Sequence, residues 1–154
     1  MSNATGLARP DESAWTSLFG VWLVSLVATL GSLFFSEVMG LPPCVLCWYQ
    51  RVCMYPLAAI ATVGLLTHDR EVARYAWPLV LVGLTVAIYH NLLYYHVIPE
   101  SITPCATGVS CTERQIEWFG VVTIPLLSLS AFIIIAGCLV WFRARLKETA
   151  HEDQ

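Results

Sequence analysis

Four of the six cysteines in this 154-residue chain stand beside long apolar runs rather than inside them. Cys44 and Cys47 bracket a Cys-Val-Leu-Cys motif, and Cys105 and Cys111 follow with five residues between them. A thiol couple carries two electrons, and two couples that come within exchange distance can pass electrons from one to the other. Pro42-Pro43 ends any helix upstream and prepares the backbone for a new one at Cys44, because proline fits the first turn, where its missing N–H costs nothing. In such a helix Cys44 and Cys47 lie one turn apart on one face. The unpaired N–H groups and the dipole of a helix start favour thiolate, so the motif predicts a redox-active couple.

Other chemistry fits these residues less well. A disulfide between Cys105 and Cys111 could simply staple an outward loop. A four-cysteine zinc site needs two to four residues between paired ligands, and the second couple has five. Haem attachment needs histidine directly after the motif, where Trp48 stands. Cys53 and Cys138 fall inside apolar runs, where a thiol is ordinarily a small packing residue. Arg51 is four residues past Cys47 on the same helical face, and it either holds a thiolate or a carbonyl oxygen there or snorkels to the head groups. His96, expected at the same depth as the start of the Cys44 helix, is either a donor to the same oxygen or a polar interface residue. His90 lies nearly two turns deeper, with no partner legible from sequence.

The elements that must hold these groups are membrane spans. Hydrophobic residues make up 57% of the chain, charged residues 12%, and mean hydropathy is +0.67, far too apolar for a soluble domain. Four stretches, about 15–35, 45–66, 75–95 and 118–142, are each long enough to cross roughly 30 Å of hydrocarbon. Their short connections predict an all-α, antiparallel up-down-up-down four-helix bundle in the membrane. Residues 1–14 and 143–154 are expected as tails, and an outer loop at about 97–117 carries Cys105 and Cys111. The first stretch is too long for a signal-peptide core and no cleavage site follows it, so it is expected to be retained. Arg9, Arg70, Arg74, Arg143, Arg145 and Lys147 fall on one side and only Arg51 and Arg114 on the other. This bias predicts cytosolic termini and cysteines on the outer face. A net charge of −3 provides no broad basic surface, which argues against a nucleic-acid partner.

Electrons leaving thiols in an apolar bundle need a lipid-soluble acceptor, since no Gly-rich nucleotide fingerprint exists here. A quinone meets that need. The run Pro43-Cys44-Val45-Leu46-Cys47-Trp48-Tyr49-Gln50-Arg51, then Cys105, then Cys111-Thr112-Glu113-Arg114-Gln115 and the fourth span, resembles the disulfide bond formation protein B (DsbB) family and its short-loop BdbC-like branch. The resemblance covers nearly all of residues 15–142.

It implies a thiol:quinone oxidoreductase of the bacterial inner membrane. Such a protein reoxidises a DsbA-like, thioredoxin-fold partner and reduces ubiquinone or menaquinone. By the same resemblance Cys105 is the sulfur attacked by the partner and Cys111 its mate at rest. A transient Cys44 to Cys111 bridge then carries the electrons to the Cys44–Cys47 couple. Cys47 becomes the thiolate on the quinone side, with Arg51 and His96 as quinone contacts. Two features depart from the family pattern: the very short interval 106–110, and Gln50 at a place where an acid can precede the arginine. Two rivals remain. A vitamin-K-epoxide-reductase-like protein would carry its loop cysteines before its Cys-x-x-Cys motif, and a non-enzymatic membrane protein with a stapled loop would turn over no quinone.

Overall fold

The computed structural model describes residues 10–98 and 123–152, which form four helices: α1 (Pro10–Leu33), α2 (Val45–Thr67), α3 (Val72–Tyr94) and α4 (Ile124–Glu152). α1 packs on α2 and α4, and α3 packs on the same two, so the helices form a ring around one core. Leu18 and Val21 of α1, Leu57 of α2, Val80 of α3, and Phe132 and Ile135 of α4 meet there, fully buried. The outside is as apolar as the inside. Phe19, Leu30, Val63, Val82, Ile133 and Val140 are all exposed, the pattern of a bundle whose solvent is hydrocarbon.

Among the described residues, three helices are long and apolar enough to cross a membrane: Glu12–Val38, Val72–Tyr94 and Ile124–Glu148. α2 matches them in length, with 23 residues, but spends its early turns on Gln50 and Arg51, which lower its mean hydropathy. The elements overrun the expected spans at both termini. α1 already begins at Pro10 and α4 runs on to Glu152, because nothing in 10–14 or 143–152 breaks a helix and a helix need not stop where the bilayer does.

Close approach of α3 and α4 depends on Gly83, where any Cβ would collide with the Phe132 ring, a small-residue contact of the kind that holds helices together in lipid. At the tight turn from α2 to α3, His68 takes the left-handed conformation (φ 53°) and its N–H caps α2 on the Gly64 carbonyl. Its ring also packs edge-on against Trp15 at 5.0 Å, and Trp15 in turn meets Phe142 at 5.9 Å, closing that end of the bundle.

At the opposite end, α1 widens into a five-residue π-helical segment, Phe34–Val38. Gly40, at φ 65°, and the Pro42-Pro43 pair then carry the chain to α2. A π segment enlarges the helix locally and recurs at functional sites. Here its Phe35 and Cys47 line one cavity.

Candidate functional site

Cys44 is the N-cap of α2: its backbone is extended (φ −70°, ψ 168°) and its sulfur accepts the Cys47 N–H at 3.3 Å. The helix begins one residue later than the motif suggested, and the consequence is favourable. As the cap, the Cys44 sulfur lies in front of the orphan amides of the first turn instead of beside them. The two sulfurs are 2.6 Å apart, both as free thiols. The Cys47 thiol holds Cys44 well below the ordinary thiol range, burial opposes that shift, and the His90 ring and the Cys47 N–H add to the lowering.

The histidine at the couple is His90, whose Nε2 lies 3.9 Å from the Cys44 sulfur and whose ring is only 2% exposed. Its Nδ1 lies 3.4 Å from the Gln50 amide nitrogen, and Gln50 accepts a hydrogen bond from Ser128 of α4 at 2.7 Å. His96, expected beside the couple, lies exposed just past the end of α3 in a left-handed conformation (φ 56°). It does not line the cavity described next. The sequence carried no signal that singles out His90, because α3 is apolar nearly all round; Val80, Gly83, Ala87 and His90 share its buried face only in the folded bundle.

Beside the couple opens an apolar cavity of about 550 Å³ between α1, α2 and α4, with Cys47 on its wall and Cys44 outside it. Arg51 also lines it, 9% exposed. Its Nε donates to Ser32 Oγ at 2.7 Å and its Nη2 to the Ser32 carbonyl at 2.8 Å, while its guanidinium lies 5.5 Å from the Trp48 ring centre. Two bonds from one planar fork fix the cation in a way a lysine could not reproduce. Ser32 sits where the α ladder of α1 approaches the π segment, so the irregularity and the buried cation occupy one place. One turn along α2, Tyr55 lines the same cavity, and its hydroxyl is buried with no partner among the described residues.

Cys44, Cys47 and His90 bring three donor atoms within 4.8 Å of one another. Two thiolates on one tetrahedral zinc would stand about 3.8 Å apart at Zn–S distances near 2.3 Å, so the observed sulfur spacing suits sulfur exchange better than coordination. Cys53 is buried in the main core and Cys138 packs against Gly20, both as packing residues. Cys105 and Cys111 lie outside the described residues, as does nearly all of the expected outer loop.

Comparison with known proteins accounts for most of the chain. The family model described as "Disulfide bond formation protein DsbB" matches residues 14–142. A Metapseudomonas resinovorans protein named "Probable disulfide formation protein" is 48% identical over 138 residues, covering 89% of this chain and 96% of that protein. "Disulfide bond formation protein C" of Bacillus subtilis (strain 168) is 44% identical over 118 residues, 77% of this chain and 86% of its own. "Probable disulfide formation protein C 1" of Bacillus anthracis is 45% identical over 123 residues, 79% and 88% respectively. No solved structure matches the chain.

Proposed function

This chain belongs to the DsbB family of disulfide bond formation proteins, and on that premise we propose that it is a thiol:quinone oxidoreductase that reoxidises a DsbA-like, thioredoxin-fold partner. The observation that carries the quinone side of this reading is the Cys47 sulfur on the wall of an apolar cavity, beside an anchored guanidinium. Ligand sites of this kind are mostly apolar with a few fixed polar groups. A quinone head fits that description: its ring suits the apolar walls, and its carbonyl oxygens need donors such as Arg51 and the Tyr55 hydroxyl, which has no partner among the described residues. When bound, ubiquinone or menaquinone supplies a two-electron sink. His96, exposed beyond α3 and off the cavity wall, is kept as a second candidate quinone contact.

The protein's own steps are thiol exchanges. A partner thiolate attacks Cys105 of a Cys105–Cys111 bridge, and Cys111 leaves as thiolate. Cys111 attacks Cys44 of a Cys44–Cys47 bridge, forming Cys44–Cys111 and leaving the electron pair on Cys47. A second partner thiolate frees Cys105, which attacks Cys111, restores the loop bridge and leaves Cys44 as thiolate. Both electrons from the partner's dithiol then reside on the Cys44–Cys47 couple. Arg51 holds the cavity side of that couple electropositive, and the apolar walls exclude water from it.

The chain is proposed to lie in the bacterial inner membrane with cytosolic termini. This reading is supported by Arg70 and Arg74 at the turn between α2 and α3 and by Arg143, Arg145 and Lys147 late in α4, all at the end opposite Cys44, since basic residues are retained on the cytosolic side. The test is direct. Protein purified in detergent is mixed with a reduced thioredoxin-fold substrate and a quinone, and quinol is followed by absorbance. Stoichiometric disulfide and quinol support the reading, and no quinol with either quinone class sinks it.

A further inference from the structure

We infer that Gln50 and Ser128 are positioning residues that hold the neutral His90 ring in its Nε2–H tautomer, with that proton directed at the Cys44 sulfur. The inference deepens the thiol-exchange reading and rests on it for its consequence, not for its geometry. Three helices contribute in sequence. Ser128 of α4 donates to the Gln50 Oε1 at 2.7 Å, which turns the amide so that its nitrogen meets His90 Nδ1 at 3.4 Å. An amide nitrogen only donates, so Nδ1 must accept. A neutral imidazole whose Nδ1 accepts carries its proton on Nε2, and Nε2 is the atom 3.9 Å from Cys44. Gln50 and His90 are both buried, so water does not compete for these bonds as it would at a surface.

The consequence is a division of labour between the two sulfurs. Whenever the bond to Cys44 is broken by attack on the sulfur joined to it, a new S–S bond forms between attacker and that sulfur, and the electron pair stays on Cys44. The Nε2–H donates a hydrogen bond to that charge while keeping its proton, so Cys44 leaves as a thiolate. Cys47, on the cavity wall, has no such donor from His90. The residue type at position 50 is therefore selective. Glutamate there would only accept, draw the ring proton to Nδ1 and present a bare Nε2 to Cys44.

The test uses the full chain, reduced, in lipid nanodiscs with ¹⁵N-labelled histidine, and His90→Asn identifies the His90 signals. The native protein is expected to show a protonated Nε2 and an unprotonated Nδ1. Ser128→Thr should retain that tautomer, Ser128→Ala should mix the two, and Gln50→Glu should move the proton to Nδ1. The pH at which iodoacetamide alkylation of Cys44 falls to half its plateau, followed by mass spectrometry, should rise by about 0.7 unit in Ser128→Ala, about a fivefold shift in the thiolate equilibrium and the equivalent of one neutral hydrogen bond. A protonated Nδ1 in the native protein would overturn the inference, and so would an unchanged tautomer in both Ser128→Ala and Gln50→Glu. Because the spectrum needs neither partner nor quinone, failure to form quinol leaves it untouched.

Discussion

Replacing Arg51 by methionine separates the two things its side chain does. Methionine fills a similar length of cavity wall but carries no charge and no donor. In the native protein both hydrogen bonds of the guanidinium among the described residues end on Ser32, and only 9% of the residue is exposed. Losing them loosens α2 from α1 by about 1–3 kcal/mol, read as a lower unfolding midpoint in detergent. A hydrogen bond from a charged group to a quinone carbonyl is worth about 1.5–3 kcal/mol, which corresponds to a rise in apparent quinone KM of roughly 10- to 150-fold. Ser32→Ala removes one anchor, keeps the cation and leaves the carbonyl acceptor. It should raise KM by about fivefold or less, equivalent to one neutral hydrogen bond. Arg51→Lys, charged but without the fork, should fall between the two. The assay is the initial rate of quinol formation against quinone concentration, with reduced thioredoxin-fold substrate in excess. If Arg51→Met stays folded and its KM matches the native value, the cation serves only to join α2 to α1, and the reasoning fails.

Cys47→Ser should abolish quinol formation while the loop cysteines still exchange with the partner; full turnover in this variant would remove Cys47 from its assigned place. In non-reducing gels, Cys111→Ala should accumulate a mixed disulfide between the partner and Cys105, whereas Cys105→Ala should trap none, and the opposite pattern would exchange their roles. The lowered Cys44 thiol makes a prediction with a definite sign. Its thiolate contributes stability to the reduced protein above the ordinary thiol range, and that contribution is lost only as pH falls through the lowered value. Cys44 alkylation should therefore hold nearly constant from about pH 8 to about pH 6, where an ordinary thiol slows about tenfold per unit. Gly83→Ala should lower the thermal midpoint by the equivalent of about 1–3 kcal/mol of overpacking against Phe132, and Phe132→Leu in the same chain should recover part of it.

Much of the site was legible because it depends on neighbours along one helix. Pro42-Pro43 followed by Cys-x-x-Cys dictates a helix start with a sulfur at its mouth, and the structure differs only in making Cys44 the cap. The spacing from Cys47 to Arg51 assigns both to one face of α2, where both line one cavity. The apolar stretches and their basic flanks announced a membrane bundle by composition alone. What pairs across helices was not legible. His96 was the expected histidine at the couple on grounds of depth, and His90 is the one found there. Gln50 looked like an acid's replacement, and it links α3 to α4 through His90 and Ser128.

The reason is rotational phase. A helix in a soluble protein carries an apolar stripe that tells which side turns inward, and its cross-helix partners can be read from that stripe. α1, α3 and α4 are apolar nearly all round, with exposed leucine, valine and isoleucine as well as buried, so their sequences leave the rotation about each axis undetermined. Residue types, helix starts and the Cys44–Cys47 pair came from the chain itself. The packing of Gly83 on Phe132, the anchoring of Arg51 by Ser32 and the choice of histidine came only when four helices settled each other's rotation in three dimensions.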